Sequence, residues 1–113
     1  MNNKAIKKIA DTYGYDAQSR QLIEEMAELT QAINKYWRKQ LKCGKKDFEI
    51  KPIFLDDKVL IMPTEYDNLV EELADVQIMI SQMVYLLKTD IEPIIEQKLN
   101  RQLERIGAKN DRN

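Results

Sequence analysis

The residues best suited to chemistry are four carboxylates, Glu25, Glu28, Glu72 and Asp75. They sit inside an eight-residue pattern that the chain writes twice, Leu-Ile-Glu-Glu-Met-Ala-Glu-Leu at 22–29 and Leu-Val-Glu-Glu-Leu-Ala-Asp-Val at 69–76. Each copy carries an acidic pair at i and i+3, positions that share one side of a helix with Cβ atoms roughly 5–6 Å apart. At about 100° per residue, Leu22, Met26, Leu29 and Ile33 form an apolar stripe, with Glu25 on its edge and Glu28 next to it. Leu69, Leu73, Val76 and Ile80 repeat the stripe, with Glu72 and Asp75 on its edge. Stripes packed face to face bring the four carboxylates together. Unpaired, they would repel one another, and each charge taken from water costs on the order of several kcal/mol. A hard divalent cation resolves that conflict. Mg²⁺, with Mn²⁺ as a substitute, favours oxygen ligands, and Mg²⁺ often keeps waters and takes substrate phosphates as further ligands. A single Glu-Glu-x-x-Glu is ordinarily a solvated helix face. Two copies that keep both the apolar and the acidic phase favour a site.

The rest of the sequence narrows the chemistry. At 113 residues the chain is expected to form one domain, 1–113, of a size at which a self-sufficient core is marginal. Its apolar content of 43% and charged content of 33% suit a soluble, helix-rich protein. Long amphipathic helices in so short a chain carry more apolar face than it can cover, so oligomerisation is expected. The net charge of −1 gives no bias toward a nucleic acid polymer. There is no histidine, which excludes His-containing zinc sites, Glu-x-x-His di-iron pairs and His-activated nucleophiles. The single cysteine, Cys43, allows no internal disulfide and reads as a loop thiol. No segment is long and apolar enough to span a membrane, and Met-Asn-Asn-Lys-Ala-Ile-Lys-Lys lacks a signal-peptide core, so a cytoplasmic setting is expected.

The elements that must position the carboxylates follow from periodicity. Ile6, Ile9, Ala10 and Tyr13 share a side of a short helix over 2–13, ended by Gly14. Asp16 then caps a helix from about 17 to 41 that carries the first acidic copy. Residues 43–63 break the helical pattern. Ile53-Phe54-Leu55 and Val59-Leu60-Ile61-Met62 flank Asp56-Asp57-Lys58 between Pro52 and Pro63, as in a small β-hairpin or an apolar loop. Thr64 opens a helix to about Lys88 through the second copy. It turns apolar nearly all round past Ile80, as a buried or interface helix does. Asp90 caps a last helix with Pro93 in its first turn, a packing face of Ile91, Ile95, Leu99, Leu103 and Ile106, and an end at Gly107. The expected fold is all-α, a bundle of about four helices with an insertion at 43–63, completed by oligomerisation.

Two further groups could serve a phosphorylated ligand. Lys98, Arg101 and Arg105 share a side of the last helix, and a carboxylate-bound cation with nearby Lys and Arg suits a polyphosphate. Tyr36 and Trp37 read first as core or interface packing, and otherwise as a wall on which a base stacks.

The paired motifs Glu24-Glu25-Met26-Ala27-Glu28 and Glu71-Glu72-Leu73-Ala74-Asp75 resemble the MazG-like all-α nucleoside triphosphate pyrophosphohydrolases. That family carries Glu-x-x-Glu on one helix and Glu-x-x-Asp on the next. Lys98, Asn100 and Arg105 resemble its Lys-x-Asn followed downstream by Arg. The likeness runs from Gln18 to about Ile106 and departs at 43–63, which is longer than usual in MazG. Asn100, on a straight helix, points away from Lys98 and Arg105. The resemblance implies hydrolysis of a nucleoside triphosphate between the α and β phosphates, giving the monophosphate and pyrophosphate. Glu25, Glu28, Glu72 and Asp75 would hold Mg²⁺. A carboxylate not fully used in ligation, or Glu24 or Glu71, would orient the attacking water, and Lys98, Asn100, Arg101 and Arg105 would meet the triphosphate. It also implies intertwined dimers or tetramers and a housecleaning role in the nucleotide pool. Two other readings stand beside it: a non-catalytic helical interaction module, and a relative acting on phosphoribosyl-ATP.

Overall fold

The computed structural model describes residues 1–42, 53–55, 58–61 and 64–111, with side chains over 1–39 and 65–108. Three helices form it, α1 (Asn3–Lys42), α2 (Thr64–Leu86) and α3 (Glu92–Asp111). Between α1 and α2 lie two short strands, β1 (Ile53–Leu55) and β2 (Lys58–Ile61). They pair antiparallel through Ile53↔Ile61, Phe54↔Val59 and Leu55↔Lys58, with an irregularity between Ile53 and Phe54. The remainder of 43–63, including Cys43, Pro52 and Pro63, lies outside the described residues.

The expected pair of N-terminal helices is present as the two parts of α1, on either side of a kink at Gly14. Asn2 opens α1 as an N-cap, its Oδ1 accepting from Ala5 N at 3.1 Å. Gly14, at φ 83° and ψ 171°, interrupts the helical dihedrals. That region is open essentially to glycine alone. The chain turns helical again after this kink, with Asp16 in the first turn beyond it, its carbonyl accepting from the Ser19 hydroxyl at 3.0 Å. Residues before the break form an N-terminal arm folded along α2. Ile6 and Ala10 of the arm are buried, whereas Ile9 and Tyr13 are exposed. The Tyr85 hydroxyl donates to both carboxylate oxygens of Asp11 at 2.9 and 2.8 Å, and Lys7 Nζ stands 5.8 Å from the Tyr85 ring centroid. At the other end of the pair, Lys39 forms an ion pair with Glu65.

The α1–α2 seam is not the one that the stripes suggest. Gln18, Ala32 and Tyr36 are buried, and Leu22, Glu25 and Leu29 are half-buried. These positions advance by alternating steps of four and three, the spacing of a helix–helix seam. On α2 the seam runs through half-buried Leu69 and Glu72 and buried Val76, Met79 and Gln82. Met26, Ile33, Leu73 and Ile80 are instead 42–50% exposed. The apolar face of each helix is wider than one seam, and the pair closes on the side carrying small Ala32, Tyr36 and Gln18. Tyr36 packs edge-on against Tyr66, with ring centroids 6.1 Å apart. Gln18 Nε2 donates to Gln82 Oε1 at 2.6 Å, which satisfies a buried amide pair and fixes the register of the two helices.

At the end of α2, Lys88 N donates to Tyr85 O and Thr89 N to Val84 O, with Lys88 at φ 54°. That is a Schellman motif with lysine in the left-handed position usually held by glycine. Asp90 Oδ1 then accepts from Glu92 N at 3.0 Å, as expected of a cap at the start of α3. Gly107 does not end α3. The helix runs through it to Asp111, because glycine keeps helical dihedrals at a cost of only about 1 kcal/mol and Ala108 follows as a strong helix former. The expected packing face of α3 is largely uncovered: among the described residues no Cα of α3 approaches α1 or α2 within 8 Å. Only Ile91, half-buried just before its start, and Ile95 of its first turn share an open hollow with Leu73, Val76, Ile80 and Val84 of α2. Ile95, Leu99, Leu103 and Ile106 are 38–64% exposed. The radius of gyration, 18.3 Å, accordingly exceeds the roughly 13 Å of a compact chain this long.

Two substitutions test the backbone account in opposite directions. Gly14→Ala has free space for its methyl group, so its cost is conformational, about 1–3 kcal/mol, and the melting temperature falls by several degrees. Lys88→Gly relieves a left-handed lysine, worth roughly 1 kcal/mol, and raises it. Thermal melts by circular dichroism measure both.

Candidate metal centre

The two acidic copies meet where α1 and α2 face each other. Carboxylate oxygens of Glu25, Glu28 and Glu72 all lie within 4.8 Å of one another. Glu25 and Glu72 are half-buried and Glu28 is exposed, so the cluster is open to solvent on one side. Asp75 is exposed and falls outside the group, although its charge still acts on Glu72. Three of the four expected carboxylates therefore converge. The cause is the shift of the seam: Glu25 and Glu72 occupy packing positions, and one step of three from Glu72 carries Asp75 to the rim.

The electrostatics are those of an uncompensated site. Burial, then the charges of Glu28, Asp75 and Glu25, push the Glu72 carboxyl above its ordinary value, aided by a hydrogen bond with Glu28. Glu25 Oε2 and Glu72 Oε2 are buried and have no hydrogen-bond partner. Such orphaned oxygens are rare in native proteins. They have lost water and gained no donor, and among the described residues no Lys or Arg is paired with them. A cation between them would supply the missing partner, and three carboxylates with one open side fit a hard divalent ion. Glu25 Oε1, in contrast, accepts from Gln21 Nε2 at 2.9 Å.

The other expected site residues are not brought to this cluster. Glu24 is exposed and outside the triplet. Glu71 is exposed too, and lines a shallow surface hollow with Lys35, Glu65, Asp67 and Asn68. Lys98, Asn100, Arg101 and Arg105 are exposed on α3, which packs on neither helix of the pair. Tyr36 is 4% exposed and belongs to the core, so its ring offers no open face to a base. Trp37 is 48% exposed on the outer side of α1.

Comparison with family models, with curated proteins and with solved structures finds no match to this chain. The functional reading therefore stands on the residues and their geometry. Among the described residues, no helix is long and apolar enough to cross a membrane.

Sequence reasoning missed Gln21 and the Gln18–Gln82 pair. Both were marked by spacing: Gln18 and Gln21 lead into the steps 18, 22, 25, 29 of the seam, and polar residues at seam positions need partners.

The raised Glu72 carboxyl has a defined consequence for stability. The folded state holds the Glu72 proton more tightly than the unfolded chain does. Its contribution is thus present below the ordinary value of 4.5 and is lost as pH rises through the folded-state value. With chelator present, Glu72→Gln should melt higher than the wild type at pH 7, and the gap should close toward pH 4. Thermal melts of both proteins across that range check it.

Proposed function

We propose that the chain is a Mg²⁺-dependent nucleoside triphosphate pyrophosphohydrolase of the MazG-like kind, which releases pyrophosphate and leaves the monophosphate. The observation that carries this reading is the meeting of Glu25, Glu28 and Glu72, from both copies of the repeat, with two buried oxygens left without a partner. Glu25, Glu28 and Glu72 would hold the ion, with Asp75 at the rim reaching it by a change of rotamer. Bound there, Mg²⁺, or Mn²⁺ in its place, supplies polarisation of phosphate oxygens and a lowered pKa for a coordinated water. A carboxylate of the cluster not fully engaged in ligation orients that water and takes its proton. Glu24 and Glu71 are weaker choices for that role, because both sit away from the cluster.

The partners of the triphosphate would be the cations Lys98, Arg101 and Arg105 and the neutral amide of Asn100. With α3 held away from α1 and α2, these residues would reach the carboxylates only across an interface between copies. Ile23, Met26, Ile33 and Trp37 on α1 and Val70, Leu73, Ile80 and Leu87 on α2 are 42–56% exposed. Each set follows the three-and-four spacing of a second seam. This uncovered surface supports a homodimer or homotetramer, and Trp37, half-exposed on it, remains the aromatic open to a base. A cytoplasmic, housecleaning role fits this chemistry.

The test is pyrophosphate release from a panel of ribo- and deoxyribonucleoside triphosphates and phosphoribosyl-ATP. Wild type with Mg²⁺ should release it from at least one, and Glu72→Gln or added chelator should reduce release to background. Release from phosphoribosyl-ATP alone would move the substrate to histidine synthesis. No release from any compound by folded, Mg²⁺-loaded protein would favour a helical interaction module, and equal release by both proteins would refute the site.

A further inference from the structure

We infer that Gln21 is a positioning residue for the cation site, its side-chain amide holding Glu25 so that one chosen oxygen faces Glu28 and Glu72. The inference rests on the metal reading above and assigns a role to a residue outside the acidic motifs. Gln21 Nε2 donates to Glu25 Oε1 at 2.9 Å, one helical turn apart and partly buried. The direction of that bond is fixed by chemistry, since an ionised carboxylate only accepts. One lone pair of Oε1 is thereby engaged, while Oε2 is buried and has both of its own free of a partner. The amide does two things at once. It selects which oxygen is left for an ion, and it removes rotamer freedom from a side chain that must be in place before the ion arrives. Donors that orient ligating side chains in this way commonly set metal affinity.

The repeat supplies an internal comparison. Counting back four residues from Glu25 gives Gln21, and counting back four from Glu72 gives Asn68. Both copies thus carry a carboxamide at the same place, but asparagine is one methylene shorter. Asn68 is exposed and does not bond Glu72, and Glu72 Oε2 has no partner. Glu25 therefore has an amide donor one turn back on its own helix that Glu72 lacks. The two copies differ in support, not in acidic pattern.

Isothermal titration of Mg²⁺ and of Mn²⁺ into the full chain tests this, at a temperature where circular dichroism shows each protein folded. Gln21→Met keeps the shape and removes the donor. Gln21→Asn keeps the amide at the length found in the second copy. Each should bind either ion about 10–100-fold more weakly than the wild type. A role confined to packing would lower the metal-free melting temperature and leave the affinity unchanged, and that result would overturn the inference. A wild-type chain that takes up neither ion would overturn the metal reading and this role together, whereas wild-type binding matched by both variants would overturn this role alone.

Discussion

Two carboxylates occupy positions in the α1–α2 packing seam, and the remainder of the molecule accommodates them. Glu25 and Glu72 follow the same three-and-four spacing as Leu22, Leu29, Leu69 and Val76, so burying the seam draws their charges toward one another. An apolar seam would close by itself. This one is held instead by flanking contacts: the Gln18–Gln82 amide pair, the Tyr36–Tyr66 rings, and the arm before Gly14 tied to α2 through Asp11 and Tyr85. Burial in that seam, and then the like charges that those contacts keep close, raise the Glu72 carboxyl, and two oxygens are left without donors. The cation of the proposed function would relieve that proximity by supplying the missing opposite charge.

The same shift of the seam explains what lies outside. Because the pair closes on the face with Gln18, Ala32 and Tyr36, the larger residues Met26, Ile33, Leu73 and Ile80 point outward. The α3 helix adds an uncovered apolar face with a basic edge. Under the proposed function these features belong together. Assembly of copies would bury the second stripes and carry the cations of one chain toward the carboxylates of another. The uncovered surface and the acidic centre are then parts of one site divided between chains.

Much of this was legible in the sequence, for identifiable reasons. The repeat announces itself because an acidic pair at i, i+3 retains its helical phase against neighbouring apolar residues. Helix positions followed from periodicity and from local signals at Gly14 and Asp90. The error lay in the phase of the seam. Leu22 and Leu29 belong to either stripe, and periodicity alone cannot choose between Met26 with Ile33 and Glu25 with Ala32. That choice depends on close approach at Ala32 and on a hydrogen bond between Gln18 and Gln82, residues 64 positions apart. The end of α2 was legible to within two residues, expected at about Lys88 and found at Leu86, although the left-handed Lys88 of its cap was not. The reach of α3 past Gly107 and its isolation from α1 and α2 depend on what packs against it, which no local pattern encodes.

The most direct test of the proposed metal centre is to locate an ion there. Crystals grown with Mn²⁺ should give an anomalous difference peak between Glu25, Glu28 and Glu72, with Glu25 Oε2 and Glu72 Oε2 at about 2.2 Å from it, the range expected for a hard divalent ion on carboxylate oxygen. A cluster without a peak at Mn²⁺ concentrations that saturate ordinary Mg²⁺ enzymes, with the two oxygens instead bonded to water or to each other through a proton, would contradict the account.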